Sequence, residues 1–233
     1  MDKKLKIIIG ILITLILCSP IFYNFIKDRK KDEQYSYVIT NDSLNFKQEY
    51  EQLNSDTDKY LNVEIPSYVP IEYVDYDKIF EILDNGTGII YFGFPECPWC
   101  RNLTPVLASS AIDYGIDTIY YFNKHEDRNS LSLNKKGKIV TDKKGTKEYN
   151  KLIDLLKEVL PVYRGLNDDS IKRLYFPTVL FVKEGKVLGL EQTLSTYAER
   201  IDGDPLIPMS KAEKDELSNI FKNYYKQIKP KKN

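Results

Sequence analysis

The sequence predicts an α/β domain carried behind one membrane-spanning segment. Three observations lead there. A long apolar run lies near the N-terminus, helical and extended patterns alternate through residues 65–229, and a C-x-x-C falls where one strand pattern gives way to a helical one.

The apolar run covers residues 7–26, IIIGILITLILCSPIFYNFI, broken only by Thr14, Ser19, Pro20 and Asn24. That length spans a bilayer as a helix. Lys3, Lys4 and Lys6 ahead of it also suit a secretory signal, but no small-x-small cleavage site follows, so an uncleaved anchor is preferred. Lipidation at Cys18 is a further reading, opposed by Leu17 where such signals carry a small residue. Basic residues flank both ends (Lys27, Arg29, Lys30 and Lys31 follow the run), so charge bias alone does not orient it. The short basic tail before a single apolar segment favours an exported domain. The expected localisation is therefore the cell membrane, single-pass, with the soluble domain extracytoplasmic.

The chain divides on this reading into a basic tail (1–6), the anchor (7–26), a polar tether (27–64), the domain (65–229) and a short tail (230–233). The tether holds one helical candidate around Phe46 to Leu53, and Pro66 and Pro70 mark an extended approach to the domain. Tyr76, Ile79, Phe80 and Leu83 form a helical face, closed by Asp-Asn-Gly-Thr-Gly. Residues 89–94, IIYFGF, read as a buried strand, and after PECPWC a helix follows with Leu103, Val106, Leu107, Ala111 and Tyr114 on its inner stripe. Residues 117–122 read as a strand and 131–141 as a hairpin. An amphipathic helix from Tyr149 to Leu160 ends at Pro161. Residues 178–182 and 187–190 make a hairpin about Lys-Glu-Gly-Lys, and a Ser210/Glu213 capping box opens a closing helix.

Composition removes some functions. Lysine plus arginine equals aspartate plus glutamate at 34 each, without a basic face, so nucleic acid is not an expected partner. Of three cysteines, Cys18 lies in the apolar run, which leaves Cys97 and Cys100 without a further thiol in the soluble part.

A C-x-x-C that opens a helix sets its first sulfur among unpaired backbone N–H groups at the positive end of the helix dipole, favouring thiolate. Cys97 is therefore the expected nucleophile, and Cys100, one turn on, the resolving thiol. Pro98 suits the first helical position, where its missing N–H costs nothing. Half of a zinc site is the competing reading; it needs two more ligands, and His125 is the sole histidine, so no metal is expected. The redox-active Cys97–Cys100 disulfide stands in place of a cofactor.

With YFGFPECPWC on view, the chain resembles the thioredoxin-like family, and is similar in particular to bacterial, often membrane-attached members such as bacteriocin transport accessory proteins. The resemblance covers residues 65–228 as an order of elements and implies a central mixed sheet flanked by helices. It implies that Pro105 kinks the active-site helix, that Pro177 is the cis-proline beside the cysteine pair, and that Phe176 offers its backbone to substrate. Trp99 reads first as a surface ring packing beside the sulfur, and second as a contact for peptide substrates. One departure stands out: the family keeps a buried acid six residues before the first cysteine, and this chain has Tyr91. Pro98-Trp99 resembles the Pro-aromatic pair of glutaredoxins. Glu96 and Arg101 flank the pair as tuning charges, with exposed, solvated roles the commoner ones for both, and His125 reads as structural or incidental.

The expected function is a membrane-anchored thiol-disulfide oxidoreductase acting on exported proteins. Its partners would be protein or peptide thiols and disulfides, and a membrane redox protein. The alternative is a non-enzymatic, peptide-binding accessory or chaperone-like subunit of an export or bacteriocin system.

Overall fold

Two consecutive apolar residues on each face of a strand demand cover on both sides, and β2 (Gly88–Phe92) is buried at every position. In the computed structural model, which describes residues 38–229, Ile89 and Tyr91 of this strand point into one apolar layer, Ile90 and Phe92 into the other. The expected tails 1–6 and 230–233 and the apolar segment 7–26 lie outside the described residues. Among those described, no helix is long and apolar enough to cross a membrane.

Around β2 the sheet is mixed. β1 (Ile71–Tyr73) and β2 both pair in parallel with β3 (Ile119–Phe122), while β6 (Thr178–Lys183) runs antiparallel to β2 and β7 (Lys186–Glu191) antiparallel to β6. The order across the sheet is β1-β3-β2-β6-β7. On one face lie α1 (Asn41–Glu51), α3 (Pro98–Tyr114) and α6 (Lys211–Ile228), through Phe46 and Tyr50, Leu103 and Leu107, and Leu217 and Phe221. The other face is covered by α2 (Tyr76–Asn85) and α4 (Lys147–Leu156), through Ile79, Ile82, Leu152 and Leu156. A mixed sheet in this order, with helices on both faces, is consistent with the thioredoxin-like fold. A separate hairpin, β4 (Ser130–Leu133) with β5 (Ile139–Lys143), leaves the main sheet, and α5 (Ser195–Arg200) lies between β7 and α6.

Several expectations are met by local chemistry. Ser210 and Glu213 form the reciprocal capping box, and Arg200 holds the Glu213 carboxylate with two hydrogen bonds of 2.7 and 2.9 Å. α3 stops at Gly115, whose φ of 83° is the left-handed conformation that glycine adopts without penalty. Pro105 lies inside α3.

The tether is corrected. The folded body begins well before residue 65, because α1 carries Phe46 and Tyr50 fully into the core, and Val63 and Ile65 are buried as well. A Thr40/Ser43 capping box starts this helix, earlier than the aromatic spacing suggests. Its weakly periodic, polar sequence hides two large anchors. Helix α4 also ends sooner than the pattern to Leu160 implies: Leu155 and Val159 are exposed, so that stripe is not all core. α5 has no counterpart in the sequence reading.

Candidate active site

β2 delivers the chain to Gly93, where close approach excludes a side chain: a Cβ there would fall 2.3 Å from the Tyr91 hydroxyl. The backbone then turns through Pro95, and the Cys97 N–H donates to the Phe94 carbonyl at 3.2 Å. Cys97 is the N-cap of α3 in extended conformation, with Pro98 in the first turn as expected. Its sulfur accepts the Cys100 N–H at 3.2 Å, and the Cys97 carbonyl takes the first helical bond from the Arg101 N–H at 3.0 Å. The sulfur therefore occupies the place a serine oxygen commonly fills, facing the unpaired N–H groups of a helix start.

Both cysteines are thiols in this structure. Cys97 is buried but retains some exposure, whereas Cys100 has none. Their acidities are pushed apart. The Cys97 pKa is lowered by hydrogen bonding with the Cys100 thiol, then by the Cys100 and Trp99 backbone N–H groups and the charge of Arg128, against the opposing effect of burial. That of Cys100 is raised well above the ordinary value, first by burial and then by Cys97. This split favours ionisation of the outer sulfur.

The Phe176–Pro177 bond is cis. Across from the cysteines, the Phe176 carbonyl accepts the Cys97 thiol at 3.6 Å. Trp99 is half-buried and packs edge-on against Tyr197, ring centroids 5.9 Å apart.

Tyr91 is fully buried beside Cys100. Its hydroxyl lies 2.7 Å from Thr104 Oγ1 and 3.0 Å from the Tyr50 hydroxyl, and Thr104 Oγ1 donates to the Cys100 carbonyl at 2.7 Å. Because Thr104 spends its one proton on that carbonyl, Tyr91 donates to Thr104 and Tyr50 to Tyr91. Burial holds both phenols well above their usual pKa, so they act as donors rather than bases. Against that burial a hydrogen bond from Tyr91 lowers the Cys100 pKa, which requires the Tyr91 O–H to turn from Thr104 to the sulfur once Cys100 ionises.

Arg101 is a correction. It is neither solvated nor among the groups that shift Cys97; its side chain is fully buried and points away into the α1 connection. Nε donates to the Leu61 carbonyl at 2.7 Å, Nη1 to the Tyr50 and Pro95 carbonyls at 2.8 and 3.2 Å, and Nη2 to Asn54 Oδ1 at 2.7 Å. It is a structural clamp made of carbonyls. Glu96 is exposed, as its commoner role has it.

The cation acting on Cys97 is Arg128, whose guanidinium lies 4.5 Å from the Phe176 ring centroid. Of the two readings of His125 the structural one fits: its ring stacks on Phe94 at 3.9 Å, and its carbonyl accepts Arg128 Nε at 3.1 Å. Thr104 could have been noticed, one turn after Cys100 on the same helix. Tyr50 and Arg128 carry no local signal; only the sheet brings them here. Among the described residues, no group of three or more His, Cys, Asp or Glu is placed to hold a metal ion.

No family model matches the chain, and no curated protein matches it. Among solved structures it is similar to oxidised thioredoxin O2 from Arabidopsis thaliana, at 13% identity and a TM-score of 0.31, over 57% of this chain and 91% of that one. The fold assignment rests on strand order and helix placement in the present chain.

Proposed function

We propose that the protein is a thiol-disulfide oxidoreductase in which Cys97 is the nucleophile and Cys100 the resolving thiol, anchored by residues 7–26 and acting on thiols or disulfides of exported proteins. One observation carries the chemistry: Cys97 caps a helix with its pKa lowered while the neighbouring Cys100, fully buried, has its own raised. Such a pair separates attack from resolution.

In the reducing direction the Cys97 thiolate attacks one sulfur of a substrate disulfide, forming a Cys97–substrate bond and expelling the other substrate sulfur as thiolate. Cys100 then loses its proton and attacks the Cys97 sulfur. The second substrate thiolate leaves, the Cys97–Cys100 disulfide forms, and two electrons have passed to the substrate. A thiol donor, such as a membrane redox partner, would return the pair to the dithiol; the oxidising direction is the reverse sequence. Phe176, with a carbonyl that already accepts the Cys97 thiol, is positioned to pair with an extended substrate backbone, and Trp99 to pack on it.

The test is Cys100→Ser in intact cells. Mixed disulfides should accumulate on Cys97. If none form, and the purified wild-type protein neither reduces nor oxidises a test dithiol, the enzyme reading is abandoned for the peptide-binding accessory role. Localisation is tested separately with a membrane-impermeant thiol reagent under reducing conditions, where labelling of Cys97 only after lysis places the domain inside the cell.

A further inference from the structure

Three arginines converge on the Cys97 side of the molecule, and none has a carboxylate partner within 4.0 Å among the described residues. Each lies over an aromatic ring instead. Arg128 covers Phe176 at 4.5 Å, Arg173 covers Tyr163 at 4.3 Å and Tyr175 at 5.8 Å, and Arg164 covers Tyr175 at 5.4 Å. The rings belong to the strand-like lead-in to Pro177 and to the loop bridged to it at Val162 and Lys172.

The side chains are held in place. Arg128 Nε donates to the His125 carbonyl at 3.1 Å and Arg173 Nη1 to the Asn129 carbonyl at 3.1 Å. Tyr163 accepts the Leu131 N–H and Tyr175 the Arg164 N–H, so the rings beneath are fixed as well. Arg128 and Arg173 are half-buried and near enough to repel. Of the acidic residues near in sequence, Asp127 faces Tyr76, Asp168 is bonded by Ser170 and Glu126 pairs with His125 and Lys143, while the exposed Asp169 forms no ion pair with any of the three arginines. Arg128 and Arg173 are like charges that are ordered, half-buried and without a carboxylate partner, which favours an anion here, and the exposed Arg164 adds a third charge. Guanidinium groups stacked on rings with free edges offer the fork geometry that carboxylates fit.

We propose that this ridge is the specificity surface of the redox site, and that Arg173 and Arg164, with Arg128, select substrates carrying acidic residues beside the reactive cysteine. The inference rests on the proposed redox function. A peptide is the favoured occupant because the ridge continues directly from Phe176, whose carbonyl is beside Cys97. Arg128 has a double position: its charge lowers the Cys97 pKa, and its guanidinium covers Phe176 where the ridge begins.

The experiment uses the full-length chain and three peptides, identical except for two positions next to a single cysteine that are Glu, Gln or Lys, each supplied as its symmetrical disulfide. Attack by Cys97 is followed in the Cys100→Ser protein as mixed disulfide resolved by mass. The Glu peptide should react about tenfold faster than the Lys peptide at low salt, the ratio shrinking as ionic strength rises. Arg173→Gln should bring the ratio to within about twofold, Arg173→Lys should retain most of it, and Lys211→Gln, on α6, should leave it unchanged. Equal rates for the three peptides, or a ratio that survives Arg173→Gln, overturns the proposal. Serine versions of the same peptides, followed by fluorescence anisotropy, test the surface without chemistry. Preferential binding of the Glu peptide, lost in Arg173→Gln, supports the ridge even if no disulfide is ever attacked, an outcome that would instead remove the redox function. Tighter binding of a single-stranded oligonucleotide than of any peptide would overturn the acidic-peptide assignment.

Discussion

The two sulfurs of this protein are one helical turn apart and live in different solvents. Cys97 stands at a helix start, reached by backbone N–H groups and by Arg128, with a carbonyl and an aromatic shelf opposite. Cys100 is sealed beneath it beside Tyr91, Thr104 and Tyr50, whose hydroxyls are linked to one another and to the Cys100 carbonyl. The lesson is that a short motif supplies two identical thiols, and the layers around them make one more acidic than an ordinary cysteine and the other less. Covalent sequence alone could not distinguish them to this degree.

Removing either sulfur breaks the contrast outright. Cys97→Ser should abolish disulfide exchange in a stopped-flow assay, a loss of more than about a thousandfold, since the serine hydroxyl is not a nucleophile at neutral pH. Cys100→Ser should leave the first attack intact and stop turnover. If Cys97→Ser retained exchange and Cys100→Ser lost even the first attack, the roles would be reversed.

Next in size is the seal over Cys100. Arg101→Ala should lower unfolding free energy by about 2–4 kcal/mol in urea titrations, because four acceptors on α1, its following loop and Pro95 lose their donor in a buried place. Arg101→Lys should rescue only part, since an ammonium cannot reach all four. A loss below about 0.5 kcal/mol would mean that α1 does not depend on this clamp.

Tyr91→Phe tests the hydroxyl chain. One hydrogen bond of about 1 kcal/mol net corresponds to roughly fivefold in rate, so release of substrate from the Cys97 mixed disulfide should slow by about that factor while attack by Cys97 is unchanged. Equal slowing of both steps would assign Tyr91 to packing alone.

The smallest expected change sharpens the Cys97 side. Iodoacetamide reacts with thiolate, so alkylation of Cys97 in the wild-type protein should persist to lower pH than for an ordinary cysteine. It should fall only as pH drops through the lowered pKa. Arg128→Gln should move that profile to higher pH. The reduced protein's stability follows the same sign: a lowered Cys97 pKa contributes stability present above the unfolded-state value and lost as pH falls through the folded one. Cys100 has the opposite sign, with its contribution present below the unfolded value and lost as pH rises.

What was legible in the chain was short-range. The strand at Ile89 and Ile90, the handover to a helix at Cys97, the Ser210 capping box and the hairpin about Gly185 are written in residues a few positions apart. Arg101 misleads for the opposite reason: an arginine on a helix reads as a surface charge until its partners, Leu61 and Tyr50, arrive from 40 and 51 positions away. The same holds for the tether, where polar composition concealed Phe46 and Tyr50 until the sheet offered them a face to bury.

By itself, the sequence determined the C-x-x-C at a strand-to-helix junction, Pro177 ahead of β6, Tyr91 in place of an acid, and the alternation that builds the sheet. Helix starts, turns and hydrophobic periodicity are local in the chain, so they are visible there. Only the tertiary structure decided that α1 closes over Cys100, that Tyr91 donates to Thr104 rather than accepting a proton, and that Arg128 rather than Arg101 faces Cys97. Those outcomes depend on which buried polar group finds which partner across the sheet, and a polar group deprived of water accepts whichever partner the packing brings within hydrogen-bonding distance.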